Sequence, residues 1–370
     1  MDIAFRVDAA PWIGSGHVMR CITLASALAE NGHRCIFICA YLNASFKEKI
    51  IGQGFEYLSL PARDDVVFNT AAQKQQHALW LGANQILDAA QTIESIKRLK
   101  IAWLVVDHYG IDTIWHRELR KHCQKIMVID DLADRDYCCD LLLDQNYGRS
   151  AQDYQKHINP DAELLIGTDY CLLRAQFLKA HARSAKVLTQ SPQKILLSFG
   201  GVDHDNFTLK ALKTLVNSSY FSKNPLAQVA ILVGGQYPHG DFLTNFISNI
   251  LLSGRAKNIT CYKNIDNVAE LMGTCDMAIG ACGSTVWELC CLAVPALLVA
   301  TAKNQLNAIT QLNEAGIIMA LDADNFEREL TNALINKNII MELNALSQRA
   351  LQCVDGKGIA RVIKRMEALQ

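Results

Sequence analysis

The chain lacks a surplus of charge of either sign: 36 Lys and Arg face 37 Asp and Glu, for a formal net charge of −1. That balance leaves no basic footprint for a polyanion such as nucleic acid, and there is no acidic tail. No apolar run approaches the roughly 20 residues needed to cross a bilayer. The N-terminus shows no basic segment leading into an apolar stretch of the signal-peptide kind. Although cysteines number 13, there is no C-x-x-C pair and no Cys/His block at zinc spacing. Their odd count, within apolar runs such as those holding Cys35, Cys39, Cys171, Cys261, Cys290 and Cys291, does not suit a disulfide framework. They read as reduced thiols behaving as small buried hydrophobes. Internal repeats and low-complexity segments are also missing. With half of its residues hydrophobic, the chain is not of a disordered class. These absences lead us to expect a cytoplasmic protein with no membrane or nucleic-acid partner, no metal and no cofactor.

What is present is alternation. Asp2 to Asp8 sets Ile3, Phe5 and Val7 on one side and reads as a strand. A glycine turn follows, Ile13-Gly14-Ser15-Gly16-His17, and then a helix burying Met19, Ile22, Leu24, Ala25 and Leu28 until Asn31-Gly32 stops it. Strands are predicted at 33–41, 56–60, 101–107, 125–130 and 140–144, with helices at 45–52 and over a long stretch at 70–100. After a charged connector at 166–193, a second series predicts strands at 194–199, 227–233, 258–262, 277–280 and 296–300, with helices from 325 to 370. The fold expected is α/β: two Rossmann-type βαβ domains facing each other across a cleft. The boundaries read as 1–165, the connector 166–193, 194–350, and a C-terminal helix at 351–370.

Ligands of open α/β sheets gather at the carboxyl ends of the strands. That rule puts His17, Asp107-His108-Tyr109-Gly110 and Asp130-Asp131 on one rim. A glycine turn lets backbone approach a ligand closely, and here it delivers a titratable ring. Asp107 and Asp131 read as acids satisfying backbone amides near strand ends, and His108 faces either the pocket or the sheet. His33, His77, His116, His122, His157, His181 and His239 have no motif around them and read as structural. In the second half, Gly283 and Ser284 open a helix whose first amides suit a phosphate, with Glu288 on the same face for a ribose diol. The alternative there is a plain N-cap and a surface acid. Gly200-Gly201 offers a further phosphate contact or only a tight turn, and Lys303-Asn304-Gln305 opens another predicted helix.

Six segments together carry a family resemblance: FRVDAAPWIGSGHVMRCITLA (5–25), VVDHYGI (105–111), LLIGTDYCLLR (164–174), LSFGG (197–201), ACGSTVWELC (281–290) and AKNQLNA (302–308). They resemble, in that order, the UDP-2,4-diacetamido-2,4,6-trideoxy-β-L-altropyranose hydrolase family of pseudaminic acid biosynthesis. The resemblance implies a GT-B fold, a UDP-linked diacetamido trideoxy sugar and water as the two substrates, and no metal. It implies that His17 is the base that activates water and that Tyr109 lines the sugar pocket. Gly14, Ser15, Gly16, Arg174, Gly200, Gly201, Gly283, Ser284, Glu288 and Asn304 would contact the substrate. Val202-Asp203 departs from the threonine-aspartate expected after the glycine pair, and the resemblance stops near residue 315.

Such a reaction would break the C1–O bond with inversion, because water attacks opposite the departing UDP. The helix end would keep the His17 ring neutral and able to take a proton. A GT-B glycosyltransferase using a UDP-sugar donor is the alternative, followed by a hydrolysing epimerase and a non-catalytic UDP-sugar binding protein.

Overall fold

The computed structural model describes all residues except Pro11, 62–76, 182–186, Pro225, Arg255 and Lys257. They form two compact units, Met1–Leu172 with Lys357–Gln370, and Leu173–Gly356. Each is a Rossmann-type α/β layer structure of the kind the alternating pattern predicts.

The first unit holds β1 (Asp2–Val7), β2 (Arg34–Cys39), β3 (Glu56–Ser59), β4 (Ile101–Asp107), β5 (Cys123–Ile129), β6 (Leu141–Asp144) and β7 (Glu163–Ile166). All pair in parallel, in the order β3-β2-β1-β4-β5-β6-β7. Chain order therefore reverses direction between β1 and β4, the point where such sheets bind ligands. The alternation in β1 does not mean one wet face. Helices cover both sides, so Ala4 and Arg6 are as buried as Ile3 and Phe5.

The second unit holds β8 (Lys194–Ser198), β9 (Gln228–Val233), β10 (Asn258–Lys263), β11 (Met277–Ala281), β12 (Ala296–Val299) and β13 (Met319–Leu321). Their order is β10-β9-β8-β11-β12-β13, again all parallel, with its reversal between β8 and β11.

Three expectations change. The helix predicted over 70–100 partly lies outside the described residues. Its remainder is a short 3-10 turn at Ala78–Leu81 and a helix only at Gln85–Ile96. Gly82, at φ +64°, ends the turn in the left-handed region, and Asn84 then caps the new helix by accepting from the Leu87 amide at 2.8 Å. Two short edge strands, β7 and β13, went unpredicted. Finally, the C-terminal helical stretch is divided: Ile339–Cys353 ends in the second unit, while Gly358–Ala368 belongs to the first. Val362, Ile363 and Met366 of that last helix join the core formed by Ile3, Phe5, Val18 and Leu28. Among the described residues, no helix is long and apolar enough to cross a membrane.

Close packing of the second sheet has a testable consequence. Gly280 pairs with Ser198 across β11 and β8, and a Cβ there would lie 2.2 Å from the Ser198 carbonyl oxygen. Backbone cannot yield as a side chain does, so Gly280→Ala should lower stability by about 1–3 kcal/mol. Guanidinium unfolding followed by circular dichroism would register it as a lower midpoint; an unchanged midpoint would contradict this packing.

Candidate active site

The turn after β1 places Gly14 at φ +83°, and the helix Gly16–Glu30 begins directly beyond it. Its N-cap, Ser15, makes no side-chain cap bond, which leaves the first-turn amides without that competitor. His17 and Arg20, one turn apart on this helix, both reach the carboxyl end of β4. His17 Nδ1 lies 2.6 Å from Asp107 Oδ1. Arg20 donates through Nε to Asp107 Oδ2 at 2.6 Å and through Nη2 to Oδ1 at 2.7 Å. Asp107 is completely buried and His17 only 7% exposed.

Burial opposes ionisation of Asp107, but Arg20 and then His17 outweigh it and hold the carboxyl well below its usual range. An ionised carboxylate only accepts. The hydrogen between His17 and Asp107 therefore sits on Nδ1, and the ring's lone pair is on Nε2. Among the described residues Nε2 has no hydrogen-bond partner, so the imidazole is oriented on one side and open on the other.

A second acid extends the set. Asp131 accepts from Arg20 Nη1 at 2.7 Å, from the Tyr109 hydroxyl, and from Asn146 Nδ2 at 3.0 Å. Tyr109 also meets the His17 ring edge-on, with centroids 4.5 Å apart. The expectation that Asp107 and Asp131 serve backbone amides is thus corrected: both acids bind side chains, because Arg20 carries more donors than one carboxylate can use. Asp130 does satisfy backbone, accepting from Leu132 and Ala133 at 2.9 and 2.7 Å, and it pairs with Arg135.

His108 turns inward. Its Nδ1 accepts from the Gly110 amide at 3.0 Å, and its Nε2 lies 3.4 Å from Asp8. Burial lowers its pKa. Asp8 belongs to a fully buried set in which Arg6 bonds Asp8 at 2.9 Å and Asp88 at 2.7 Å, while Trp115 donates to Asp88 at 2.8 Å. Asp8 also accepts from the amides of Ala40 and Tyr41, tying the end of β1 to the end of β2. This set is a scaffold below the rim.

In the second unit, Gly200-Gly201 follows β8 and Gly283-Ser284 follows β11, on the two strands that flank the reversal. Gly200 has φ +86°, and a Cβ on Gly234 would strike Gly201 backbone at 2.4 Å. Ser284 makes no cap bond to the helix Thr285–Cys291. Glu288 accepts from Arg174 Nη2 at 2.7 Å, and burial raises its pKa against the opposing guanidinium. Asn304 is exposed in a 3-10 turn at Lys303–Gln305, which Gln305 stabilises by accepting from the Thr301 amide at 2.9 Å. Asp203 caps the helix Phe207–Asn217 through the amides of Phe207 and Thr208, so its carboxylate occupies that helix end. No group of three or more His, Cys, Asp or Glu disposed to hold a metal occurs among the described residues.

Sequence reasoning missed Arg20, Trp80 and His77 as members of the first site. Trp80 lies 6.1 Å from the His17 ring and 5.4 Å from Tyr109, and His77 is 4.6 Å from Trp80.

The Arg20–Asp107 pair makes a stability prediction. Arg20→Met leaves a buried carboxylate short of its main partner, a change worth about 3–5 kcal/mol. Asp107 has a depressed folded pKa, so its contribution is complete above the unfolded value of about 4 and fades as pH falls below it. Urea unfolding should therefore separate wild type and variant most at pH 7 and least near pH 3. A gap that widened on acidification would refute the assignment.

No family model matches the chain. It is 24% identical over 317 residues to the UDP-2,4-diacetamido-2,4,6-trideoxy-beta-L-altropyranose hydrolase of Campylobacter jejuni, spanning 85% of this chain and 97% of that protein. It is 21% identical over 375 residues to the spore coat polysaccharide biosynthesis protein SpsG of Bacillus subtilis, spanning 100% and 98%. An uncharacterized Methanocaldococcus jannaschii protein is 26% identical over 306 residues; the match covers 81% of this chain and 55%, about half, of that protein. Among solved structures, MurG of Acinetobacter baumannii superposes with a TM-score of 0.63 at 13% identity, covering 99% of both chains. The spinosyn rhamnosyltransferase SpnG with thymidine diphosphate gives 0.63 at 15% identity, covering 98% and 99%. The fold is GT-B-like, and by sequence the chain is a relative, over most of its length, of the UDP-2,4-diacetamido-2,4,6-trideoxy-β-L-altropyranose hydrolases that its six segments resemble.

Proposed function

We propose that this chain is a UDP-sugar-processing enzyme and, within that class, a hydrolase. It would release UDP from UDP-2,4-diacetamido-2,4,6-trideoxy-β-L-altropyranose and supply the free sugar to pseudaminic acid biosynthesis. The observation that carries this reading is the oriented His17–Asp107 pair at the reversal between β1 and β4. The names of the C. jejuni relative and of a Helicobacter pylori cytidylyltransferase–hydrolase, 20% identical over 240 residues, support it.

In this mechanism water attacks C1 from the side opposite UDP, and its oxygen bonds to carbon as the C1–O bond to the diphosphate breaks. His17 Nε2 takes the water proton. The imidazolium that forms lies 2.6 Å from the carboxylate that oriented it. A positioned base of this type is worth about 10²–10⁴-fold in rate. The proposal assigns Gly14, Ser15, Gly16 and Tyr109 to the sugar. It assigns Arg174, Gly200, Gly201, Gly283, Ser284, Glu288 and Asn304 to the rest of the substrate, with helix-end amides and glycine backbone stabilising the leaving diphosphate.

Transfer to a sugar or lipid hydroxyl is the second reading, favoured by the likeness in fold to MurG and the rhamnosyltransferase. Fold alone does not choose between acceptors. Metal independence belongs to the proposal, so the deciding assay runs in EDTA, with ¹⁸O-water and no acceptor. Label at C1 of the released sugar, with unlabelled UDP, is the expected result. Turnover only after adding an acceptor would favour the transferase, and saturable binding without turnover a binding protein. His17→Ala should lose about 10²-fold or more in kcat while keeping its affinity for UDP; equal loss of both would make His17 structural.

A further inference from the structure

Beside His17 stands a cluster of rings drawn from separate stretches of chain, of which the reaction just described uses Tyr109 but neither Trp80 nor His77. Trp80 stacks on Tyr109 at 5.4 Å with 27° between planes, and meets His17 edge-on at 6.1 Å and 81°. His77 stands against both, 4.6 Å from Trp80 and 5.3 Å from Tyr109. Trp80 is held firmly. Its amide donates to the His77 carbonyl at 3.0 Å, and the next residue, Leu81, is fully buried in the core. Gly82 then turns so close to Tyr41 that a Cβ would overlap the phenol ring. The indole nevertheless stays partly exposed.

This wall is built mainly of ring faces, though one polar atom on it, His77 Nδ1, is buried with no hydrogen-bond partner among the described residues. The Tyr109 hydroxyl is committed to Asp131. Burial lowers the His77 pKa against the opposing charge of Asp134, which favours the uncharged ring. A rigid aromatic surface suits the C–H face of a sugar ring.

We propose that Trp80, braced by Tyr109 and His77, is the platform for the sugar ring beside His17. This rests on the UDP-sugar reading above, and the experiment separates the two. Trp80→Leu and Trp80→Phe are compared with wild type on UDP-2,4-diacetamido-2,4,6-trideoxy-β-L-altropyranose and on UDP-N-acetylglucosamine. Trp80→Leu should raise KM for the deoxy substrate about tenfold, with a smaller change in kcat and no change in inhibition by UDP. Trp80→Phe should recover part of the loss on both substrates. An unchanged KM, or a parallel loss of UDP inhibition, would overturn the platform. If wild type hydrolyses neither compound, the hydrolase reading fails, and binding then decides the platform. Indole fluorescence of wild type, but not of Trp80→Phe, should respond to the sugar nucleotide and not to UDP. Identical responses from the two proteins would count against it.

Discussion

Keeping a carboxylate ionised away from water is expensive unless cations and donors surround it. Asp107 is in that position at the end of β4, and the site in the first unit is organised around satisfying it. Two of its four side-chain bonds come from Arg20, one from His17, three residues earlier on the same helix, and one at 3.6 Å from the Cys21 thiol. Packing of that helix on the sheet and orientation of the imidazole are therefore one event. Were Asp107 absent, the neighbour left to Nδ1 would be Arg20 Nη2 at 3.4 Å, a donor that favours the opposite tautomer. Arg20 also has a donor left over, and Asp131 takes it. Through that second acid the restraint passes on to Tyr109 and Asn146. One buried charge thus governs an imidazole, its tautomer and one wall of its surroundings.

Part of this was legible in the amino-acid order. The strands predicted at 101–107 and 125–130 are β4 and β5, and the Gly14–Gly16 turn before an apolar-periodic helix marked the rim. The partnership of those elements was not legible. Helical spacing shows which face of Gly16–Glu30 turns inward, but a buried arginine gives no local sign of the carboxylate it will meet 87 positions later. Asp107 and Asp131 were read as serving backbone for the same reason. His77 and Trp80 lay inside what read as one long helix. Gly82 breaks that helix because its left-handed turn and contact with Tyr41 are tertiary facts, invisible to periodicity. The strands β7 and β13 are four and three residues long and occupy sheet edges, too short for alternation to register. The last helix crosses back to the first unit because its apolar stripe matches that core, which no neighbouring sequence announces.

The two units obey one topological rule with different chemistry. Each places its candidate residues where strand order reverses, after β1 and β4 in one and after β8 and β11 in the other. In the first the groups are titratable side chains locked by ion pairs. In the second they are mostly backbone: Gly200 in a left-handed turn, Gly201 against Gly234, and Gly283-Ser284 leading into a helix. Backbone amides offer donors whose charge does not change with pH, which suits holding an anion. An imidazole whose charge changes suits moving a proton. Glu288 is the exception in the second unit, and its pairing with Arg174 does not exhaust it. Arg174 engages Oε1, while Oε2 has no hydrogen bond among the described residues. A carboxylate accepts at both oxygens, so the guanidinium orients this acid and leaves it one oxygen with which to accept from a hydroxyl, much as Arg20 orients Asp107 toward His17.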